Sequence, residues 1–335
     1  MNVFFAGNPY GDSGPRIVNR NLIRCLKDEV SFVASEKKSM RLIEVAWKAL
    51  RCRVIIFSGV TSYDHLIIPV CRRLRKKVVF IMHGCLKYED KINGFTNHRG
   101  DRNEALLLKY SDSILCVSET YMHFIQQQFP QYAHKISFLT NGIDWQMLDL
   151  LPQSDIRRDD RRIVLIGGGR TTKRNLEVCK AVELLNRRSH ENFFVEVYGD
   201  YMNNDQSLAI SQMPFTVFHP PVSHDRMMDI FKGAFLFIQN SELESFSLGV
   251  VEALVCGCSI LISENVGAKD IIPGLTGNDT ISDTSDIGQI ADKILLVSKT
   301  GNNRRLFSSI DKEASSIQSS ANKLLRIARN LANDN

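Results

Sequence analysis

The chain has 335 residues, 44% hydrophobic and 24% charged, with 42 Lys/Arg against 37 Asp/Glu. That length exceeds what one hydrophobic core usually supports, so two domains of roughly 150 residues each are the expectation. The composition excludes a disordered, collagen-like or coiled-coil chain, and no apolar run reaches the ~18 residues of a membrane helix.

Met1 to Gly7 is apolar but lacks a basic flank and breaks at Gly7-Asn8-Pro9, which fits a first β-strand better than a signal peptide. A cytoplasmic protein is therefore expected. Short apolar runs at Val3–Ala6, Glu29–Val33, Val54–Phe57, Val78–Met82, Ser113–Val117 and Ile136–Leu139 read as buried strands. Amphipathic stretches alternate with them at Ile17–Leu26, Ser39–Leu50, Asp64–Leu74, Asn103–Tyr110 and Glu119–Gln128. The alternation marks a doubly wound α/β fold. Asp144–Arg162 is polar, lacks a period and holds Pro152, so it reads as an interdomain linker.

The pattern then begins again. Ile163–Ile166, Phe193–Tyr198, Thr216–His219, Phe235–Ile238 and Ser259–Ser263 are the expected strands of a second α/β domain. Helices are expected over Leu176–Arg187, His224–Phe231, Ser247–Val255, Asp286–Ser298 and Asp311–Leu331. The expected division is a first domain over 1–145, a linker over 146–160, a second domain over 161–315 and a terminal helix over 316–335 that can cross back to the first. Such domains open a cleft where the carboxyl ends of the sheets face each other. The eight scattered cysteines read as buried thiols of a reducing compartment. Cys256-Gly257-Cys258 lacks the spacer of common metal pairs, and no metal is expected there.

Charge is uneven. Residues 1–150 carry 21 Lys/Arg against 14 Asp/Glu, and residues 151–335 carry 21 against 23. The excess gathers at Lys37, Lys38, Arg41, Lys48, Arg51, Arg53 and Arg72 to Lys77. Leu42, Ile43, Ala46, Trp47 and Leu50 share one face of the helix between them. Two readings stay open: docking on an anionic inner membrane, or a core-facing helix with a solvated basic rim. No nucleic-acid recognition module accompanies the charge.

The most informative segment runs from Ser241 to Val255. Glu244 falls in the loop after the strand Phe235–Ile238, and Glu252 eight positions later on the following helix. Eight helical residues turn through about 800°, yet with the first carboxylate in the loop both can converge on one mouth. Alone, they could equally be two solvated glutamates. Gly167-Gly168-Gly169-Arg170 to Lys173 follows a strand and precedes a helix, where glycines let a backbone approach a phosphate and Arg170 and Lys173 add charge. An ordinary glycine turn is the plain alternative. His83-Gly84 ends another buried strand, where a lone histidine is often a satisfied structural residue.

The segment Glu244-Ser245-Phe246-Ser247-Leu248 to Glu252-Ala253 resembles the E-(seven residues)-E signature of glycosyltransferase family 4, of the "glycosyl transferases group 1" type. Ser245 and Ser247 stand where that family usually has glycines. The glycine turn, His83, the loop Gly7–Pro15 with Gly14, Ser111–Glu119, Thr140–Asp144 and the turn Asn265–Asp270 resemble other family segments in order. The resemblance implies a GT-B fold, two Rossmann-like domains with doubly wound parallel sheets facing across a cleft. It implies a retaining, metal-independent hexosyltransferase needing no cofactor, with a nucleotide-diphosphate sugar as co-substrate.

In that frame His83, Glu244, Arg170 and Lys173 are catalytic. Gly14, Gly168, Gly169, Arg170, Lys173, Ser245, Phe246, Ser247, Leu248 and Glu252 bind the nucleotide sugar. The implied acceptor is a saccharide or polyprenyl-diphosphate-linked saccharide in bacterial surface polysaccharide or lipopolysaccharide assembly, with peripheral contact at the inner face of the cell membrane. Two other readings remain. One is a catalytically silent nucleotide-sugar-binding subunit. The other is a GT-B relative such as a nucleotide-sugar epimerase or a phosphorylase, the last disfavoured because no lysine-anchored cofactor signature is present.

Overall fold

The structure is a computed structural model that describes residues 2–11, 13–149, 157–189 and 191–333. Asp12 of the Gly7–Pro15 loop, residues 150–156 of the expected linker with Pro152, residues 334 and 335, and the Lys38 side chain lie outside the described residues.

Two compact units emerge, one comprising residues 1–145 with 312–335 and the other residues 146–311. The first contains, in chain order, β1 (Val3–Phe5), α1 (Gly14–Leu26), β2 (Ser31–Phe32), α2 (Lys38–Arg51), β3 (Val54–Ser58) and α3 (Asp64–Arg73). There follow β4 (Lys77–Met82), α4 (Leu86–Asn93), α5 (His98–Tyr110), β5 (Ser113–Cys116), α6 (Glu119–Gln128) and β6 (Ile136–Phe138). All pairings are parallel, in the order β2-β1-β3-β4-β5-β6.

After α7 (Trp145–Asp149) the second unit lays down β7 (Asp159–Ile166), α8 (Asn175–Ser189), β8 (Phe194–Tyr198), α9 (Asp205–Ser211), β9 (Thr216–His219) and α10 (His224–Gly233). It continues with β10 (Ala234–Gln239), α11 (Leu248–Val255), β11 (Ser259–Ser263), β12 (Thr280–Ile281), α12 (Ile287–Thr300) and α13 (Asn303–Ser309). This sheet is also parallel, in the order β12-β11-β10-β7-β8-β9.

The buried strands read as continuous apolar runs because helices cover both faces of a parallel sheet. Every residue of β3 and of β10 is buried. Each such Val, Ile, Leu or Phe contributes about 1.5–3 kcal/mol by leaving water.

Some boundaries differ from the sequence reading, each for a local reason. α5 starts at His98 rather than Asn103, because the Asn97 side chain accepts the Gly100 N–H at 3.0 Å and caps an earlier turn. α4 was not anticipated; none of its residues is buried, so it leaves no apolar period. β7 begins at Asp159, its first residues polar and exposed.

The helix expected over Asp311–Leu331 begins only at Ile317 and forms α14 (Ile317–Asn333), which packs in the first unit. There α14 lies against α1, with Ala321, Leu324 and Ala328 fully buried. Ser320 Oγ donates to the Thr140 carbonyl at 2.7 Å, and Arg329 pairs with Glu29 at 2.6 Å. Where the chain leaves and re-enters this unit, Ile143 and Ile317 share a backbone bond of 2.9 Å. Trp145 Nε1 donates to Ser315 Oγ at 3.2 Å beside them.

In each sheet the chain works outward from one strand and then crosses to the other side. The reversal falls between β1 and β3 in the first unit and between β7 and β10 in the second. The crevice beyond the carboxyl ends at such a reversal is where doubly wound sheets take ligands.

Candidate active site

In the second unit the loops after β7 and β10 are tied directly together at that reversal. The Glu242 N–H donates to the Thr172 carbonyl at 2.9 Å. Lys173 forms an ion pair with Glu244, both side chains about one-sixth exposed. Arg174 turns away to Glu242, and to Glu177 at 3.6 Å. Arg170 reaches only a loose contact with Asp200 at 3.9 Å, its side chain half exposed. Such an exposed pair contributes at most about 1 kcal/mol, so Arg170 is a cation with little holding it.

The glycines between them bring two backbone segments close together. The N–H groups of Gly167 and Gly168 donate to the Tyr198 carbonyl at 2.9 and 3.1 Å, and that of Gly169 to Asp200 at 3.1 Å. These bonds pack the turn closely against the end of β8 and the segment after it. A Cβ on Gly168, at φ +60°, would lie 2.3 Å from the Asp200 carbonyl oxygen, and one on Gly169 1.9 Å from Ser207 Oγ. Asn175, at the start of α8, donates to the Gly168 carbonyl at 2.8 Å, and Asn204 to that of Gly169 at 2.9 Å.

The β10 loop is also held from its other side. Glu244 N donates to Asn265 O at 3.2 Å, Gly267 N to Glu244 O at 3.0 Å and Ala268 N to Phe246 O at 2.7 Å. The Asn265–Asp270 turn is thus zipped to the Glu244 loop. Phe246 is buried to 1%. Its side chain anchors the loop in the core.

Ser245 and Leu248 are partly covered members of the same loop and the first residue of α11. Ser247 adopts φ +76°, a left-handed conformation that favours glycine. Its hydroxyl donates to Gln239 Oε1 at 3.4 Å and does not cap α11. The first N–H groups of α11 have no side-chain cap, and a helix start of that kind favours an anion.

Glu252, on the second turn of α11, is only 15% exposed at its side chain and faces His224, whose Nε2 lies 3.0 Å from Glu252 Oε1. Their hydrogen bond raises the His224 pKa against the opposing effect of burial. His224 is the first residue of α10, capped by Ser223. The sequence reading passed it over, as it did Glu242; neither lies at a position the motif marks.

The first unit carries a second cluster at the end of its own sheet. Asn19 Nδ2 donates to the Asn8 carbonyl at 3.1 Å, so Asn19 Oδ1 is left to accept the Ser58 hydroxyl at 2.6 Å. Ser58 has one proton, so its oxygen must accept from His83 Nε2, 2.8 Å away. His83 therefore carries its proton on Nε2 and keeps Nδ1 as an acceptor. Burial holds its pKa down at about 4, so the ring is neutral. Gly14 opens α1 with empty space where a Cβ would stand, and no side-chain contact requires glycine there. Cys256 and Cys258 direct their thiols to Met228 O at 3.4 Å and Ser259 O at 3.3 Å.

Two Rossmann-like parallel sheets, each with polar residues clustered at its reversal point, define the GT-B class. Residues 148–313, which take in nearly all of the second unit, match the family described as "Glycosyl transferases group 1", which identifies this unit as a glycosyltransferase domain. No curated protein matches the sequence.

Among solved structures, the chain is similar to Anabaena HepE in complex with UDP-glucose, with a TM-score of 0.70 at 14% identity, over 98% of this chain and 99% of that one. A glycosyltransferase from Rickettsia africae matches with a TM-score of 0.63 at 13% identity over the whole of both chains. The sucrose-phosphate synthase of Thermosynechococcus elongatus gives 0.63 at 14%, over 98% and 96%. At these identities the likeness is one of fold.

Proposed function

We propose that the protein transfers a sugar, with retention of anomeric configuration and without a metal ion, from a nucleotide-diphosphate sugar to a saccharide or lipid-linked saccharide. The setting we propose is bacterial surface polysaccharide assembly at the cytoplasmic side. One observation carries this reading: the Lys173–Glu244 pair joins the two loops at the sheet reversal, beside the uncapped start of α11.

A diphosphate arriving there competes with Glu244 for Lys173 and recruits Arg170. The departing negative charge then meets two cations, Lys173 and Arg170. Glu244, released, accepts from donor-sugar hydroxyls, and Glu252, oriented by His224, accepts from the ribose hydroxyls. His83 offers Nδ1 to a sugar hydroxyl and brings no positive charge. The bond from the anomeric carbon to the phosphate oxygen breaks as the bond to the acceptor oxygen forms on the same face. The acceptor proton passes to the leaving phosphate oxygen.

The left-handed backbone at Ser247 keeps the shape that glycine gives elsewhere in the family, which favours an active enzyme over a silent binding subunit. The test is a set of nucleotide-diphosphate sugars screened by thermal shift, followed by nucleotide-diphosphate release with acceptor, before and after chelation. Glu252→Ala is expected to weaken nucleotide binding and Glu244→Ala to lower turnover. Unchanged behaviour in both variants would overturn the assignment.

A further inference from the structure

Two neighbouring helices of the first unit turn large apolar side chains outward. On α2 the buried face is Arg41, Val45 and Ala49, which leaves Met40, Ile43, Trp47 and Leu50 on the outer face at spacings of three and four. Ile43 is 71% exposed, Trp47 53% and Leu50 54%. The core-facing reading of this helix therefore does not hold for those three residues. On α3, packed beside α2, the outward stripe is Leu66, Val70 and Leu74. A soluble chain seldom leaves contiguous apolar surface of this kind without a partner.

The charge around it has one sign. Between residues 37 and 77 the sequence holds eleven Lys/Arg and two Asp/Glu. The two acids do little against that charge: Asp64 is fully buried, and Glu44 pairs with Lys48 and accepts the N–H groups of Ala34 and Ser35. Arg51 lies over the Trp47 ring at 3.7 Å, so cation and aromatic ring form one unit. Arg53, Arg72, Arg73 and Arg75 are exposed at the ends of the two helices. An open groove of about 810 Å³ is lined by Lys37 and Arg99 together with Leu42, Tyr63 and Leu66.

We propose that this α2–α3 face docks on an anionic phospholipid surface, with Ile43, Trp47, Leu50 and Val70 entering the headgroup–acyl boundary and the arginines meeting lipid phosphates. Apolar side chains ringed by cations suit that interface. A second copy of the chain fits poorly, because a symmetric contact would set like charge against like charge. Among the described residues no helix is long and apolar enough to cross a membrane, so the contact is peripheral. No residue of the surface is among those assigned to transfer.

The test uses the full chain with vesicles of phosphatidylcholine alone, or with a third of the lipid replaced by phosphatidylglycerol. Flotation with the anionic vesicles only, reversed by high salt, is expected, with a blue shift in tryptophan emission. Trp47 accounts for that shift, because Trp145 is buried to 7%; Trp47→Phe should abolish it. Arg51→Gln and Arg73→Gln should each weaken partitioning about fivefold, and Ile43→Ser on the order of tenfold. Melting temperature and nucleotide binding should stay unchanged in these variants. Equal binding to both vesicle types, or no binding, overturns the proposal. So does self-association in sedimentation that Ile43→Ser abolishes, which would make the face a contact between copies.

Discussion

The clusters at the two sheet reversals are built on opposite electrostatic plans. In the first unit Asn19, Ser58 and His83 form a neutral chain in which every proton has one place to go. In the second, Lys173, Arg174 and His224 face Glu244, Glu242 and Glu252 as charged or chargeable pairs. A neutral chain fixes direction: it tells a ligand hydroxyl where the acceptor is. A set of ion pairs can change partners when an anion arrives, at the cost of separating charges already matched.

The comparison breaks most sharply at Lys173. Lys173→Ala is expected to lower turnover about 10²–10³-fold, the loss typical of removing one preorganised stabiliser of developing charge. Ser58→Ala in the neutral chain should cost no more than about tenfold, because it frees the His83 tautomer without removing charge stabilisation. Steady-state rates with a single donor compare the two; equal losses would erase the distinction.

Acidity separates the clusters next. His83 has its pKa held at about 4, whereas an unfolded histidine takes its proton near ~6.5. The unfolded state thus binds the extra proton between those values, and the stability tied to His83 falls as pH drops through that window. His224 has a raised pKa. Its contribution is present below the unfolded value and is lost as pH rises through the folded one. Ring-nitrogen chemical shifts followed against pH should show His83 as the Nε2–H tautomer throughout the neutral range and His224 titrating late. Glu252→Gln should lower the His224 midpoint and leave His83 where it was.

The smallest effect is expected at Ser247. A left-handed serine carries roughly 1–2 kcal/mol of local strain, and glycine removes it while adding freedom to the unfolded chain. Ser247→Gly should therefore raise stability by on the order of 0.5 kcal/mol, read from the denaturant midpoint.

How much of this was legible beforehand depended on how each feature is encoded. Parallel strands such as Val54–Ser58 and Ala234–Gln239 announce themselves as unbroken apolar runs, because both of their faces are covered. The loop holding Glu244 was readable because its spacing to Glu252 is local. His224 was not: it comes from 28 positions away, and only the packing of α10 against α11 brings it to Glu252. Asn19 and Ser58 were hidden for the same reason, since one lies on α1 and the other ends β3, and only folding brings them into contact. The glycines at 168 and 169 were seen, but their tight packing was not, because Asp200 and Ser207, which fill the space beside them, come later in the chain.

The return of α14 to the first unit sets an order of assembly during synthesis. Everything the second unit needs has been synthesised by residue 311, while the first unit still lacks the segment that covers α1. A domain that begins at the amino terminus ordinarily finishes first; here it finishes last, and its unfinished apolar side waits through the making of the whole second unit. Chaperones that recognise exposed apolar surface in nascent chains would meet this protein chiefly over that interval.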